Sequence, residues 1–86
     1  MSETEPFVIT IPKNSREEVR VQLTSYRGSN IIDVRLYADM SAGEVEGRGP
    51  TKKGVSLDVR HLEALRRAIA EAEIEAADRG WIGGAE

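Results

Sequence analysis

Two runs of alternating residues, separated by a break that contains glycine, constrain this chain more than any other feature of its sequence. The runs cover residues 19–26 and 30–37, and the break is Arg27-Gly28-Ser29. In a β-strand successive side chains leave on opposite faces, so period-two alternation predicts two half-buried strands. A short break with glycine between two such strands predicts a β-hairpin.

The two faces of this hairpin differ in chemistry. One face is aliphatic, with Val19, Val21, Leu23, Ile32, Val34 and Leu36. The opposite face carries Arg20, Tyr26, Arg35 and Tyr37, with Asp33 between the arginines, where it is expected to pair with one of them. We expect the aliphatic face to be buried and the arginine and tyrosine face to carry the function.

Outside the hairpin the strand signals are weaker. Phe7–Ile11 alternates and stops at a proline, which predicts either an edge strand or a flexible arm within residues 1–12. Residues 47–50 have the composition of a turn. Glu44–Glu46 fits a poorly anchored third strand, and Lys53–Leu57 fits a short fourth strand.

The last third of the chain has helical periodicity from residue 59. Asp58 is suited to cap the helix start, and Gly80 is suited to end it, with Trp81 folded back in a Schellman-type contact and a tail over 81–86. An apolar stripe runs along this helix through Leu62, Leu65, Ile69, Ala72 and Ala76. The predicted fold class is therefore α+β: a four-stranded antiparallel sheet followed by one long helix, which covers one sheet face and leaves the other open.

Composition excludes several classes of function. The chain has no cysteine, which rules out disulfides, thiolate zinc sites and cysteine nucleophiles. His61 is its only histidine and is expected at the surface or near the helix start, so we predict no metal site, no cofactor and no catalytic residues. No signal-peptide pattern or apolar run of about 20 residues occurs, so we expect a cytoplasmic protein, nucleoid-associated in a bacterium or nuclear in a eukaryote.

Charge is unevenly distributed. The net charge is −3, which alone argues against nucleic acid, but residues 13–54 are mildly basic and residues 55–86 are acidic. This asymmetry permits a local anion-binding face. Because a chain of 86 residues buries little surface as a monomer, and because the helix stripe is long, we also expect a homodimer that associates through this stripe.

Three motifs in this order resemble the transcriptional coactivator family called positive cofactor four and its bacterial relatives. They are Tyr26-Arg27-Gly28, the strand Ile32–Tyr37, and Thr51–Leu57, which leads into the helix. The resemblance implies a whirly-like fold, a homodimer formed through the helices, and binding of single-stranded DNA across the sheet in transcription regulation. It would make residues 13–80 the DNA-binding domain.

The residues carried over from this resemblance, together with the second tyrosine of the open face, form the predicted nucleic-acid site. They are Arg20, Tyr26, Arg27, Arg35, Tyr37, Lys52 and Lys53. Three departures from the family pattern predict weaker binding: Ser29 after the hairpin glycine, Ala38 after the second tyrosine, and a longer connection that contains Glu44 and Glu46.

Two alternatives remain open from the sequence. The same fold would serve as a protein-interaction module without a nucleic-acid ligand, which the acidic helix and the negative net charge favour. RNA binding is the second alternative, as a variant of the single-stranded DNA prediction. Partners in the transcription machinery follow only from the resemblance.

Overall fold

The chain forms one antiparallel sheet followed by one long helix. The computed structural model describes residues 6–39 and 47–83. Its strands are β1 (Phe7–Pro12), β2 (Glu17–Tyr26), β3 (Ser29–Asp39) and β4 (Arg48–Asp58). A 3₁₀ turn (Val59–His61) then leads into helix α1 (Leu62–Asp78). The strands lie in the order β1-β2-β3-β4, each antiparallel to the next, which confirms the predicted fold class.

The hairpin between β2 and β3 closes through two residues rather than three. Tyr26 pairs with Ser29, and the residues between them, Arg27 and Gly28, have φ angles of 55° and 84°. Positive φ at both central positions is the geometry of a type I′ turn, whose twist matches that of the flanking strands. Glycine adopts it without strain, whereas Arg27 is held there by the strand pairing on either side.

Of the two outer strands, β1 matches one of the predicted alternatives and β4 differs from the prediction. Phe7–Pro12, for which an edge strand or an arm was left open, forms the edge strand β1. The predicted turn at residues 47–50 was wrong, because β4 begins at Arg48, which pairs with Asp39, and a proline is tolerated on this edge strand. The predicted strand Glu44–Glu46 lies outside the described residues.

A bulge interrupts the pairing of β3 with β4. The register shifts so that Thr51–Lys53 stands opposite Leu36 alone. The Thr51 hydroxyl donates to the Leu36 carbonyl at 2.8 Å and accepts from the Lys53 amide at 3.1 Å. These two hydrogen bonds fix the extra residues of β4 against the sheet, as expected of a bulge that is a structural feature and not a defect in the pairing.

Glycine is required at the residue that follows the bulge. A Cβ atom on Gly54 would stand 2.6 Å from the Val34 carbonyl oxygen and 2.8 Å from the Arg35 Cα atom. Both neighbours are backbone atoms of β3, which cannot rotate away. The close approach of β3 and β4 therefore depends on the missing side chain.

Both predicted ends of the helical region are confirmed. The Asp58 carboxylate accepts from the Arg60 amide at 2.9 Å and caps the 3₁₀ turn that precedes α1. At the other end Gly80 has a φ of 77°. The Gly80 amide donates to the Ala77 carbonyl and the Trp81 amide to the Ala76 carbonyl, which is the bond pair of a Schellman motif.

The helix does not cover a face of its own sheet, which corrects the sequence prediction. No residue of α1 is buried, and Ile32, at 4% exposure, is the only buried hydrophobic residue in the described part of the chain. The radius of gyration is 15.7 Å, whereas a compact chain of this length would have about 12 Å. The physical reason is that the 3₁₀ turn contacts β3 and β4 while α1 continues beyond them.

Candidate nucleic-acid interface

The strand register gathers polar side chains on one surface of the sheet, which we call the polar face. Its cross-strand neighbours include Arg20 opposite Arg35 and Asp33 between Gln22 and Ser56. The polar residues of this surface include Glu18, Arg20, Gln22, Thr24, Tyr26, Asp33, Arg35, Tyr37, Asp39, Arg48 and Ser56. The apolar residues Val8 and Ile31 lie on the same surface. The opposite surface, the aliphatic face, carries Phe7, Ile9, Ile11, Val19, Val21, Leu23, Ile32, Val34, Leu36, Val55 and Leu57.

Arg20 and Tyr37 form a stacked pair on the polar face. The Arg20 guanidinium carbon lies 4.1 Å from the centroid of the Tyr37 ring, and Gln22 Nε2 donates to Tyr37 Oη at 2.9 Å. Arg20 Nε also donates to Glu18 Oε2 at 2.5 Å. One side of the Tyr37 ring is therefore covered by a cation that is itself paired with a carboxylate.

Arg35 is tied to its own neighbours in the sheet. Its Nη2 lies 2.9 Å from Asp33 Oδ1 and 3.3 Å from Ser56 Oγ, and its Nη1 donates to the Thr51 carbonyl at 3.0 Å. Hydrogen bonds from Arg35, and a weaker contribution from Ser56, hold the pKa of Asp33 below its ordinary value against partial burial. The predicted pairing of Asp33 with an arginine is confirmed, and the Arg35 network anchors the bulge of β4.

Tyr26 is the open aromatic ring of the polar face. It is 61% exposed and ends β2 beside the turn, where the Arg27 guanidinium carbon lies 5.2 Å from the ring centroid. A shallow open groove of about 460 Å³ adjoins the ring. The groove is lined by Gln22, Thr24, Ser25, Tyr26, Ile31, Asp33 and Ser56. An exposed ring beside hydrogen-bonding groups, of which only the Asp33 carboxylate is charged, is suited to hold a flat molecule such as a nucleobase.

The two lysines of the predicted site lie in the bulge on the edge of the sheet. Both Lys52 and Lys53 are exposed. The pKa of Glu17 lies below its ordinary value mainly because Lys13 and Asn14 donate hydrogen bonds to it, and the Lys53 ammonium adds a smaller attraction. The charge of Lys53 is thus near enough to act on Glu17. On β2 the Glu17 side chain lies on the aliphatic face of the sheet. The structure brings Arg20, Arg35 and Tyr37 together, places Tyr26 on the same face at the hairpin end of β2, and leaves these lysines at the rim.

Sequence reasoning missed Arg48. Its Nη1 lies 2.7 Å from Glu18 Oε1, its Nε lies 3.0 Å from Asp39 Oδ1, and its Nη2 donates to the Ser15 carbonyl at 2.8 Å. The residue fell in a predicted turn, so no alternation pattern indicated its face. Its pairing with Asp39 is visible only in the structure.

Charge on the polar face is balanced rather than uniformly positive. Glu18 pairs with Arg20 and Arg48, and Asp33 pairs with Arg35. Within the described residues, Arg27, Lys52 and Lys53 form no ion pair. Across residues 6–39 and 47–83 no three potential ligand side chains cluster as a metal site, and no helix there is long and apolar enough to cross a bilayer.

Comparison with known proteins assigns the chain to one family. The model of the family described as Transcriptional Coactivator p15 (PC4) matches residues 13–68. No sequence among the curated proteins matches the chain.

Three solved structures share the fold. BPSL1147, a PC4 homolog from Burkholderia pseudomallei, is 24% identical with a TM-score of 0.68, over 80% of this chain and 98% of that one. The bacteriophage T5 homolog of the eukaryotic coactivator PC4, implicated in recombination-dependent DNA replication, is 18% identical with a TM-score of 0.63, over 91% and 85%. MoSub1, solved in complex with DNA, is 23% identical with a TM-score of 0.59, over 85% and 86%. At these identities the likeness shows a common fold.

Proposed function

The chain belongs to the Transcriptional Coactivator p15 (PC4) family, and from this premise we propose that it binds single-stranded DNA through the polar face of its sheet. In this proposal it catalyses no reaction, reads little sequence and acts in transcription regulation in the compartment that holds the DNA. MoSub1, which shares the fold, has been solved with single-stranded DNA.

The observation that carries the proposal is the exposed ring of Tyr26 beside the groove. Base stacking on an aromatic ring contributes about 1–3 kcal/mol per base and tolerates any base, because each has a π-face. Duplex DNA hides those faces. A ring that is 61% exposed in the wall of an open groove therefore favours an unpaired strand over a duplex.

The seven residues of the predicted site take three roles in this proposal. Arg20, Arg27, Lys52 and Lys53 would contact phosphates, because their charges lie at the surface or on the rim of the sheet. Arg35 and Tyr37 would hold the surface in shape, since both are engaged by neighbouring side chains. Tyr26 would stack on a base.

A second copy of the chain is the proposed protein partner. Phe7, Ile9, Ile11, Leu23 and Val55 on the aliphatic face are exposed, and Ile69 in the helix stripe is 60% exposed. Exposed apolar surface of this extent is typical of an interaction site rather than of a stable monomer. We propose that dimerisation through Leu62, Leu65, Ile69, Ala72 and Ala76 buries it.

A salt titration with a labelled single strand of about 20 nucleotides tests the function. Four phosphate contacts per protomer predict a slope of log K against log salt near −3, from about −0.7 for each contact. A duplex of the same sequence should bind more weakly, and an RNA strand tests the RNA variant. Absence of binding to the single strand in low salt would overturn the proposal.

A protein-interaction module is the second candidate, and the paired charges of the polar face favour it. Glu18 and Asp33 neutralise three arginines that would otherwise attract phosphate. If the strand does not bind, this candidate takes precedence, and the polar face becomes a docking surface for a protein of mixed charge.

A further inference from the structure

One carboxylate on the polar face is shared by two arginines from different strands. Glu18 Oε2 lies 2.5 Å from Arg20 Nε, and Glu18 Oε1 lies 2.7 Å from Arg48 Nη1. The Glu18 side chain is only 12% exposed. Each carboxylate oxygen thus meets a different guanidinium, so the glutamate bridges β2 to the first residue of β4.

Both guanidiniums are also held by contacts that do not involve this carboxylate. Arg20 lies over the Tyr37 ring at 4.1 Å. Arg48 donates to Asp39 at 3.0 Å and to the Ser15 carbonyl at 2.8 Å. If the bridging carboxylate moved away, the two cations would remain in place and would face an anion together.

A phosphodiester presents two non-bridging oxygens in a fork that resembles a carboxylate, and guanidinium groups bind both kinds of anion through charge-assisted hydrogen bonds. We propose that Arg20 and Arg48 form a phosphate site that Glu18 occupies in the DNA-free chain, and that a backbone phosphate of the single strand displaces the Glu18 carboxylate. This inference rests on the proposed function and adds Arg48 to the DNA-contacting residues.

In this arrangement Glu18 is an internal competitor of the strand. Hydrogen bonds from Arg20, and then from Arg48, hold the pKa of Glu18 below its ordinary value. The carboxylate is therefore ionised at neutral pH, and each strand that binds must replace it. This exchange lowers affinity and reduces the counterion release at this site, because the arginines are already neutralised.

Glu18→Gln removes the competing charge and keeps the size of the side chain. We expect it to bind the single strand about tenfold tighter in low salt, because a like charge next to the phosphate has been removed. The salt slope should steepen by about 0.7, the value of one additional phosphate contact. Adding Arg48→Gln to this variant should remove the gain.

Glu17→Gln is the matched control. It makes the same chemical change at the adjacent position, and hence the same change in net charge, but Glu17 pairs with Lys13 at 2.8 Å on the other side of the sheet. Its gain in affinity should stay well below tenfold, because Glu17 contacts neither Arg20 nor Arg48 and the attraction of Lys53 is the smallest of those that act on Glu17. Equal affinities of the Glu17→Gln and Glu18→Gln variants would overturn the phosphate site while the proposed function stands.

Inorganic phosphate supplies a readout that does not depend on DNA. In NMR spectra of the Glu18→Gln variant, the Nε–H signals of Arg20 and Arg48 should shift at lower phosphate concentration than in the parent or in the Glu17→Gln control. Such shifts without binding of any strand would retain the anion site and reject the proposed function. No difference between the variants in this titration would overturn the site.

Discussion

The Arg20 guanidinium lies over the Tyr37 ring, with 4.1 Å between the guanidinium carbon and the ring centroid. A base cannot stack on that side of the ring without displacing the arginine. Tyr26 differs, because its ring is exposed and its neighbouring cation, Arg27, lies further away at 5.2 Å. The two tyrosines of the polar face are therefore expected to differ in role, one supporting the surface and the other stacking on DNA.

Replacement of the exposed ring tests this difference. Tyr26→Ala should weaken binding of the single strand by about 1–3 kcal/mol and leave the salt slope nearly unchanged, because stacking releases no counterions. Tyr26→Phe keeps the ring and should bind like the parent. Fluorescence anisotropy over a range of salt concentrations measures both quantities, and a flattened slope in the alanine variant would contradict a stacking role.

The helix stripe predicts a homodimer. Ile69→Asp should yield monomer or unfolded chain, because a charge would replace an apolar side chain at the centre of the stripe. Ile74→Asp is the matched control, since Ile74 is equally exposed at 62% but lies on another side of α1. Light scattering measures the molecular mass, which should be that of a dimer for Ile74→Asp but not for Ile69→Asp. A stable monomer of the parent chain at micromolar concentration would refute the dimer.

The cap of the 3₁₀ turn predicts a measurable loss of stability. Asp58→Ala removes the acceptor of the Arg60 amide and should cost about 0.5–2 kcal/mol of unfolding free energy. Asp58→Asn retains a side-chain oxygen and should recover most of it. Thermal denaturation followed by circular dichroism measures the change, and an unaltered melting temperature in the alanine variant would show that the cap contributes nothing.

The glycine after the bulge predicts a steric effect. Gly54→Ala places a Cβ atom 2.6 Å from the Val34 carbonyl oxygen, and such overpacking costs about 1–3 kcal/mol. The affinity for DNA should fall as well, because the bulge that carries Lys52 and Lys53 must shift. Denaturant titration compares the variant with the parent; equal stability would mean that the strands can separate at no cost.

Acid should destabilise the fold through the carboxylates of the sheet. The pKa of Asp33 is lowered mainly by hydrogen bonds from Arg35, and that of Glu18 mainly by those from Arg20. In the unfolded chain the pKa is about 3.9 for Asp and 4.3 for Glu. Because the pKa of each carboxyl group is lower in the folded chain, its ionised form stabilises the fold fully above the unfolded-state pKa. This stability is lost as the pH falls through the folded-state pKa. Melting temperature should therefore fall steadily below about pH 5, and Asp33→Asn should make this dependence shallower.

Sequence pattern predicted the hairpin and its polar face because strand alternation is a local property. Residues 19–26 and 30–37 each alternate without interruption on either side of the turn, so each of their side chains could be assigned to a face. The start of β4 could not be predicted, since the turn composition around Pro50 is overridden by pairing with β3 and by the ion pairs of Arg48.

The position of the helix shows a different limit of sequence reasoning. The stripe that includes Ile69 indicated that one side of α1 must be covered, but a pattern of apolar residues does not specify what covers it. The assumption that the chain's own sheet would do so was wrong, because the 3₁₀ turn ahead of α1 lets the helix continue past the sheet. The arrangement of the proposed phosphate contacts also depends on pairings between strands, which local sequence does not record.

The nearest-neighbour order of the strands has a consequence for the kinetics of folding. The two-residue turn at Arg27 and Gly28 closes the smallest loop in the sheet, and hairpins of this kind form in about 1–10 μs. Closing β4 onto β3 requires a longer connection, from Asp39 to Arg48, and loop-closure entropy grows with length. Pulse-labelled hydrogen exchange should therefore find the β2–β3 amides protected before those of β4, so that the Tyr26 half of the polar face forms ahead of the half that contains Arg48.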